Sequence, residues 1–152
     1  GITPVVVDAT YWSAGDPWNP RWYRDRIAAG IQAPATALMV DGDRADPRQQ
    51  ISPRSNDPVA RAAQAFAEAL DAAGNPTGVP TINSGSAVGG TVLGQVQSQP
   101  VSTLVTQMLS ATDYVLAEML ARVTSKQLGL AGSTASLTAA ITGGLDAYGV
   151  PT

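Results

Sequence analysis

The sequence predicts an α+β fold, with strands and loops in the N-terminal half and helices gathered in the C-terminal half. A run of β-branched residues at 5–7 and a second apolar run at 33–40 are typical of strands. From Pro100 onward, apolar residues instead recur at the spacing of an amphipathic helix. This change of period along the chain favours strands and helices that are segregated rather than alternating.

Composition indicates a folded domain and argues against several classes of function. The 152 residues are 44% hydrophobic and 14% charged, which is typical of a globular chain. No apolar run reaches the roughly 18–20 residues of a membrane span, so we expect none in this chain. The net charge of −3 and the dispersed arginines argue against nucleic-acid binding. The chain has neither histidine nor cysteine, so we expect no catalytic triad of the Ser-His-Asp type, no metal site and no cofactor.

Two strands and an intervening loop are predicted for the first forty residues. The segment 12–23, which we call the tryptophan loop, carries three tryptophans among Gly15, Pro17 and Pro20 and is therefore expected to be an ordered loop anchored by its rings. A stacking platform for sugar rings is the alternative interpretation. The apolar run 33–40 ends at Asp41-Gly42, a dipeptide typical of a tight hairpin turn, and this places the second strand there.

A helix is predicted between Asp57 and Gly74. Asp57 is a favourable N-cap, and Pro58 suits the first helical turn because an N–H would be unpaired there. An apolar stripe follows at helical spacing: Val59, Ala63, Phe66, Leu70 and Ala73. Residues 75–98 mix glycines with isolated apolar side chains, which predicts one or two strands joined by flexible turns, with a domain boundary near 75–83.

Three consecutive helices are predicted after Pro100. The first two carry apolar faces made of Val101, Leu104, Val105 and Met108, and of Val115, Met119 and Val123. The third is expected at about 136–148, ended by Gly149. Between the first two helices we expect Thr112 to be an N-cap, with Asp113 favouring the positive end of the helix dipole.

The segment 108–122, with the sequence MLSATDYVLAEMLAR, resembles the second-motif region of class C penicillin-binding proteins. These are serine D-alanyl-D-alanine carboxypeptidases of the DacB type. In that family a helix enters a Ser-x-Asn turn, and the next helix carries an Ala-Glu pair and an arginine, which Ala117, Glu118 and Arg122 match. Residues 5–8 and 33–42 are similar to the corresponding stretches of actinobacterial members.

The resemblance places Thr112 at the serine and Tyr114 at the asparagine of the Ser-x-Asn turn, so these two are the candidate catalytic residues. A hydroxyl is kept at the first position, whereas a bulky phenol replaces a compact amide at the second. The family also uses a Ser-x-x-Lys nucleophile and a Lys-Thr-Gly strand. The only lysine, Lys126, has Val123 three residues before it and no Thr-Gly after it, so we expect this chain alone to be inactive.

The family fold implies that residues 79–152 belong to the penicillin-binding domain, as the helical part of a transpeptidase-like fold. Residues 1–78 are then part of an inserted accessory α/β region. The implied function is that of a fragment, or a degenerate homologue, of a serine D-alanyl-D-alanine carboxypeptidase or endopeptidase. Its partners would be peptidoglycan stem peptides and β-lactams, and its location extracytoplasmic. The alternative is a non-catalytic envelope module that binds peptidoglycan or a partner protein through the tryptophan loop or the altered turn.

Overall fold

A computed structural model describes residues 5–13, 15–75, 82–86 and 89–151. Its regular elements are the strands β1 (Val5–Val7) and β2 (Ile82–Ser84), the helices α1 (Pro58–Ala72), α2 (Val101–Ala111), α3 (Tyr114–Gln127) and α4 (Thr134–Asp146), and 3-10 turns at Arg24–Arg26 and Asp41–Asp43. β1 lies near the N-terminus, and three of the four helices that the structure describes lie in the C-terminal half, so the N-terminal strand with loops and the helical C-terminal half are confirmed. The described residues contain far less strand than predicted.

β1 and β2 pair in parallel, with Val5 opposite Ile82. Val5 and Val7 are 7% and 6% exposed, whereas Val6 is 50% exposed, which is the alternation of a strand buried on one face. The two buried valines form a small core with Ala63 of α1. The strand predicted at the start of the chain is therefore confirmed, and it positions α1 against the pair.

The ends of α1 are confirmed, but its buried face differs from the prediction. Asp57 caps the helix by accepting a hydrogen bond from the Ala60 N–H at 3.0 Å, and Gly74 follows it with a φ of +80°. Phe66, a member of the predicted stripe, is 57% exposed. The buried residues are Pro58, Ala62, Ala63 and Ala67. Because alanine side chains are short, this face lets the helix backbone approach the strands closely.

The prediction of a second strand at 33–40 is wrong. The Ala35 N–H donates to the Pro17 carbonyl, and the Ala35 carbonyl accepts from the Trp12 indole at 3.3 Å. The backbone of this segment is therefore bonded to the tryptophan loop rather than to a neighbouring strand. Asp41 and Gly42 begin a 3-10 turn instead of a hairpin, with φ angles of 49° and 63°.

The tryptophan loop is ordered by its own rings, as predicted. Trp12 is 4% exposed, and the rings of Trp18 and Trp22 meet edge to face with centroids 5.9 Å apart. Such pairs are favoured by the ring quadrupole. The rings thus anchor the loop, and this arrangement gives no support to a flat platform for sugars.

The helical half is confirmed, with α4 beginning two residues earlier than predicted and Gly149 following it at a φ of +69°. α3 packs against both α2 and α4.

Of the strands predicted within 75–98, β2 is present, residues 89–98 form none, and 76–81 and 87–88 lie outside the described residues. Among the helices that the structure describes, none is long and apolar enough to cross a bilayer. The β1–β2 pairing joins residues on both sides of position 78, and the domain division made there stays a prediction.

Candidate functional site at the turn between α2 and α3

Thr112 has an unusual backbone conformation in the turn that joins α2 to α3. It ends α2 in the left-handed region, with φ 50° and ψ 45°. The following N–H, that of Asp113, closes the helix by donating to the Met108 carbonyl at 3.1 Å. A β-branched residue is rarely found in this conformation, which costs about 1–2 kcal/mol. Backbone strain of this kind is often found at functional sites.

The N-cap of α3 is Asp113, so the prediction that Thr112 caps this helix is wrong. The Oδ1 of Asp113 accepts hydrogen bonds from the Val115 and Leu116 N–H groups at 3.0 and 3.1 Å. Only two residues separate the helices, and the residue adjoining α3 has the extended backbone of an N-cap, whereas Thr112 is already used to end α2. The carboxylate lies at the positive end of the helix dipole, as predicted.

The buried Arg54 side chain contacts this turn from a distant part of the sequence. Its side chain is 2% exposed, and one terminal nitrogen lies 3.4 Å from both carboxylate oxygens of Asp113. The remaining guanidinium nitrogens donate to the carbonyls of Gly30 at 2.9 Å and Gly42 at 2.6 Å. A buried charge needs partners of this kind, and here they join two loops to the start of α3.

Thr112 and Tyr114 lie on the wall of one shallow cavity of about 190 Å³. Ile31, Gln50 and Ile51 also line it. Thr112 is exposed and Tyr114 is 49% exposed. The structure therefore brings the two predicted site residues together at a surface from which either hydroxyl could meet a ligand.

Tyr114 also borders a larger cavity of about 460 Å³ between the tryptophan loop, α3 and α4. Trp22 and Leu137 supply apolar surface there, while Asn19 and Glu118 supply polar groups. The residues that the structure describes contain no acidic cluster suited to a metal ion.

A buried ion pair lies beneath this larger cavity. Arg122 is 0% exposed, and its Nε donates to Glu118 at 3.0 Å. Its other nitrogens donate to the Gly132 carbonyl at 3.2 Å and to the Thr134 hydroxyl at 2.9 Å. Glu118 and Arg122 are the two charged residues of the family pattern, and their spacing of four positions on α3 lets them meet.

The tryptophan loop is attached to this pair through Asp16 and Asn19. Asp16 accepts from both the backbone N–H and the hydroxyl of Thr134, at 2.6 and 3.0 Å, and Asn19 donates to Glu118 at 3.0 Å. Ser133, the N-cap of α4, makes no side-chain capping bond. The Asp16 carboxylate therefore accepts from the first N–H of α4, as the side chain of an N-cap residue would, although it lies 118 positions away in the sequence.

Substitution of Thr112 by glycine is expected to stabilise the fold by about 1 kcal/mol, because glycine adopts the left-handed conformation without strain. Thr106, which lies on the exposed side of α2, is the matched control. Glycine is less favourable than threonine in a helix interior, so Thr106→Gly should lower the free energy of unfolding by a few tenths of a kcal/mol. Urea unfolding of both variants checks the opposite signs, and equal destabilisation would show that Thr112 is not strained.

Comparisons with known proteins cover most of the chain. Residues 43–152 match the model of the D-Ala-D-Ala carboxypeptidase 3 (S13) family. The chain is 34% identical to Carboxypeptidase DacB of Mycolicibacterium smegmatis over 99% of its own length and 32% of the relative's. It is 39% identical to Carboxypeptidase Rv3627c of Mycobacterium tuberculosis over 80% of its length and 26% of the relative's. The chain thus spans about a third or less of the curated relatives it matches. No solved structure matches it.

Proposed function

Because the chain belongs to the D-Ala-D-Ala carboxypeptidase 3 (S13) family, we propose that it is a segment of a serine carboxypeptidase that trims peptidoglycan stem peptides. The observation that carries the proposal is that the family match runs through the whole of α2, the turn and α3. It therefore includes the two candidate residues and the Glu118–Arg122 pair.

The proposed reaction proceeds through an acyl-enzyme. A serine oxygen attacks the carbonyl of the terminal D-alanyl-D-alanine bond, D-alanine departs with the proton of that hydroxyl, and water then hydrolyses the ester. The serine and its lysine would be supplied by the two thirds of the relatives' length that this chain does not span. β-Lactams would acylate the same serine, and an enzyme that trims cell-wall peptides would act outside the cytoplasm.

The segment's own contribution would be the turn with its cavity. By the resemblance, Thr112 would take the position of the family serine, and it is an exposed residue with a left-handed backbone conformation. Its hydroxyl can orient the substrate or the attacking serine. Tyr114 would offer a hydroxyl donor on a longer side chain than the family's asparagine. This longer side chain would narrow the cavity that Thr112 and Tyr114 line. The helices around the turn would correspond to the helical part of the transpeptidase-like domain.

Release of D-alanine from a peptide ending in D-Ala-D-Ala tests the proposal. The full product of the gene is expected to release D-alanine and to leave the same peptide ending in L-Ala-L-Ala intact. Thr112→Val, which keeps the shape and removes the hydroxyl, should lower kcat/KM by about tenfold to a hundredfold. Failure of the full product to release any D-alanine, in a preparation that is folded, would contradict the proposed activity.

A further inference from the structure

We infer that Arg54 is a positioning residue for the proposed acylation, acting on the substrate through the Thr112 turn without touching the substrate itself. The inference rests on the proposed function and deepens it. Residues 50–54 form a connection that the proposed reaction does not otherwise use. We assign to this connection the control of where the Thr112 hydroxyl lies.

The segment 50–54 contacts the chain on both sides of Thr112. Before it, the side-chain amide of Gln50 donates to the Ala111 carbonyl at 3.0 Å. After it, the Arg54 guanidinium faces the Asp113 carboxylate at 3.4 Å. Thr112 is itself exposed, so burial does not fix its left-handed conformation. The two flanking contacts from one segment are suited to hold it.

The segment that bears Arg54 is fixed in turn. The Ser55 hydroxyl donates to the buried Asp43 carboxylate at 2.8 Å, and the Ala45 N–H donates to the Pro53 carbonyl at 2.9 Å. A Cβ added to Gly42 would lie 3.0 Å from a terminal nitrogen of Arg54. These contacts leave the guanidinium little freedom, and a rigid support of this kind is what precise placement of a reacting group requires.

Asp113 transmits the position of Arg54 to the turn because its carboxylate has two roles. One oxygen accepts from the first N–H groups of α3, while both oxygens face the guanidinium. Movement of the carboxylate would therefore shift the beginning of α3 and the residue that precedes it. Asp113→Asn would retain the capping acceptor and lose the charge, which separates the two roles experimentally.

The test is the rate constant of acylation by a fluorescent penicillin, measured on the full gene product. Arg54→Ala is expected to slow acylation by about tenfold to a hundredfold, since a displacement of about 1 Å can have that effect. Arg48→Ala is the matched control: Arg48 lies in the same connection, its side chain is 88% exposed, and it pairs only locally with Asp46. It should leave the rate within about twofold of the wild type.

Coupling to Thr112 distinguishes positioning from general stability. In a Thr112→Val background, Arg54→Ala should have almost no further effect, because the hydroxyl it positions is gone. Asp113→Asn should slow acylation as Arg54→Ala does, and it carries the test if Arg54→Ala does not fold. Unchanged acylation in folded Arg54→Ala and Asp113→Asn, or fully additive effects of Arg54 and Thr112, would overturn this inference alone. A folded wild-type product that is not acylated would overturn the proposed function together with the inference.

Discussion

Replacement of Arg122 by alanine is expected to lower the free energy of unfolding by about 3–5 kcal/mol, because it leaves the partner carboxylate buried without its cation. Glu118 is only 6% exposed and would lose its 3.0 Å partner, and the Thr134 hydroxyl and Gly132 carbonyl would each lose a donor. A loss of this size is a large part of the roughly 5–15 kcal/mol that stabilises an ordinary domain.

Urea unfolding followed by tryptophan fluorescence measures this effect, since the tryptophan loop is bonded to the cluster through Asn19. Arg48→Ala, which removes an exposed arginine, is the control and should change the free energy of unfolding by less than about 0.5 kcal/mol. The double variant Glu118→Leu with Arg122→Met removes both charges and should recover much of the loss. An Arg122→Ala variant as stable as the control would show that the buried pair contributes nothing.

Replacement of Gly30 by alanine is expected to destabilise the protein by about 2–5 kcal/mol, through backbone strain and a steric clash. Gly30 has a φ of +73°, and a Cβ there would lie 2.2 Å from the Ser52 carbonyl oxygen. That oxygen belongs to the backbone, so relief requires the segment 50–54 to move. Because the Gly30 carbonyl also accepts from Arg54, the same variant should disturb the α2–α3 turn.

Gly74→Ala is the matched control for Gly30→Ala. Gly74 has a similar φ of +80°, but nothing lies within 4 Å of an added Cβ. It should therefore show the strain alone, about 1–2 kcal/mol. Urea unfolding measures the free energy of unfolding of both variants, and the difference between their losses is the contribution of the steric clash at Gly30. Equal destabilisation would mean that Gly30 is not packed closely against Ser52.

Features set by neighbouring residues could be predicted from the sequence. The Asp57-Pro58 start of α1, its Gly74 end and the helical period after Pro100 are all local signals, and all were confirmed. The strand predicted at 33–40 failed because tertiary contacts decide the fate of that segment. Ala33 and Ala35 are buried, and Ala35 is hydrogen-bonded to the tryptophan loop at both its N–H and its carbonyl, which no periodic pattern records.

The candidate site was predictable only in part. Thr112 and Asp113 are both good capping residues, and the choice between them depends on where α2 ends, which composition does not fix. Arg54 reaches Asp113 across 59 positions, and Asp16 reaches Thr134 across 118. Neither residue is marked by any motif. The Glu118–Arg122 spacing was the one readable signal of the buried network.

The mass of the full gene product after incubation with a penicillin, followed by peptide mapping, shows where acylation occurs. We expect one bound penicillin, carried by a peptide outside the 152 residues, and no addition to this chain when it is treated alone. A penicillin bound within these residues, or no addition to a folded full product, would contradict the assignment of this segment to an acylating carboxypeptidase whose nucleophile lies elsewhere.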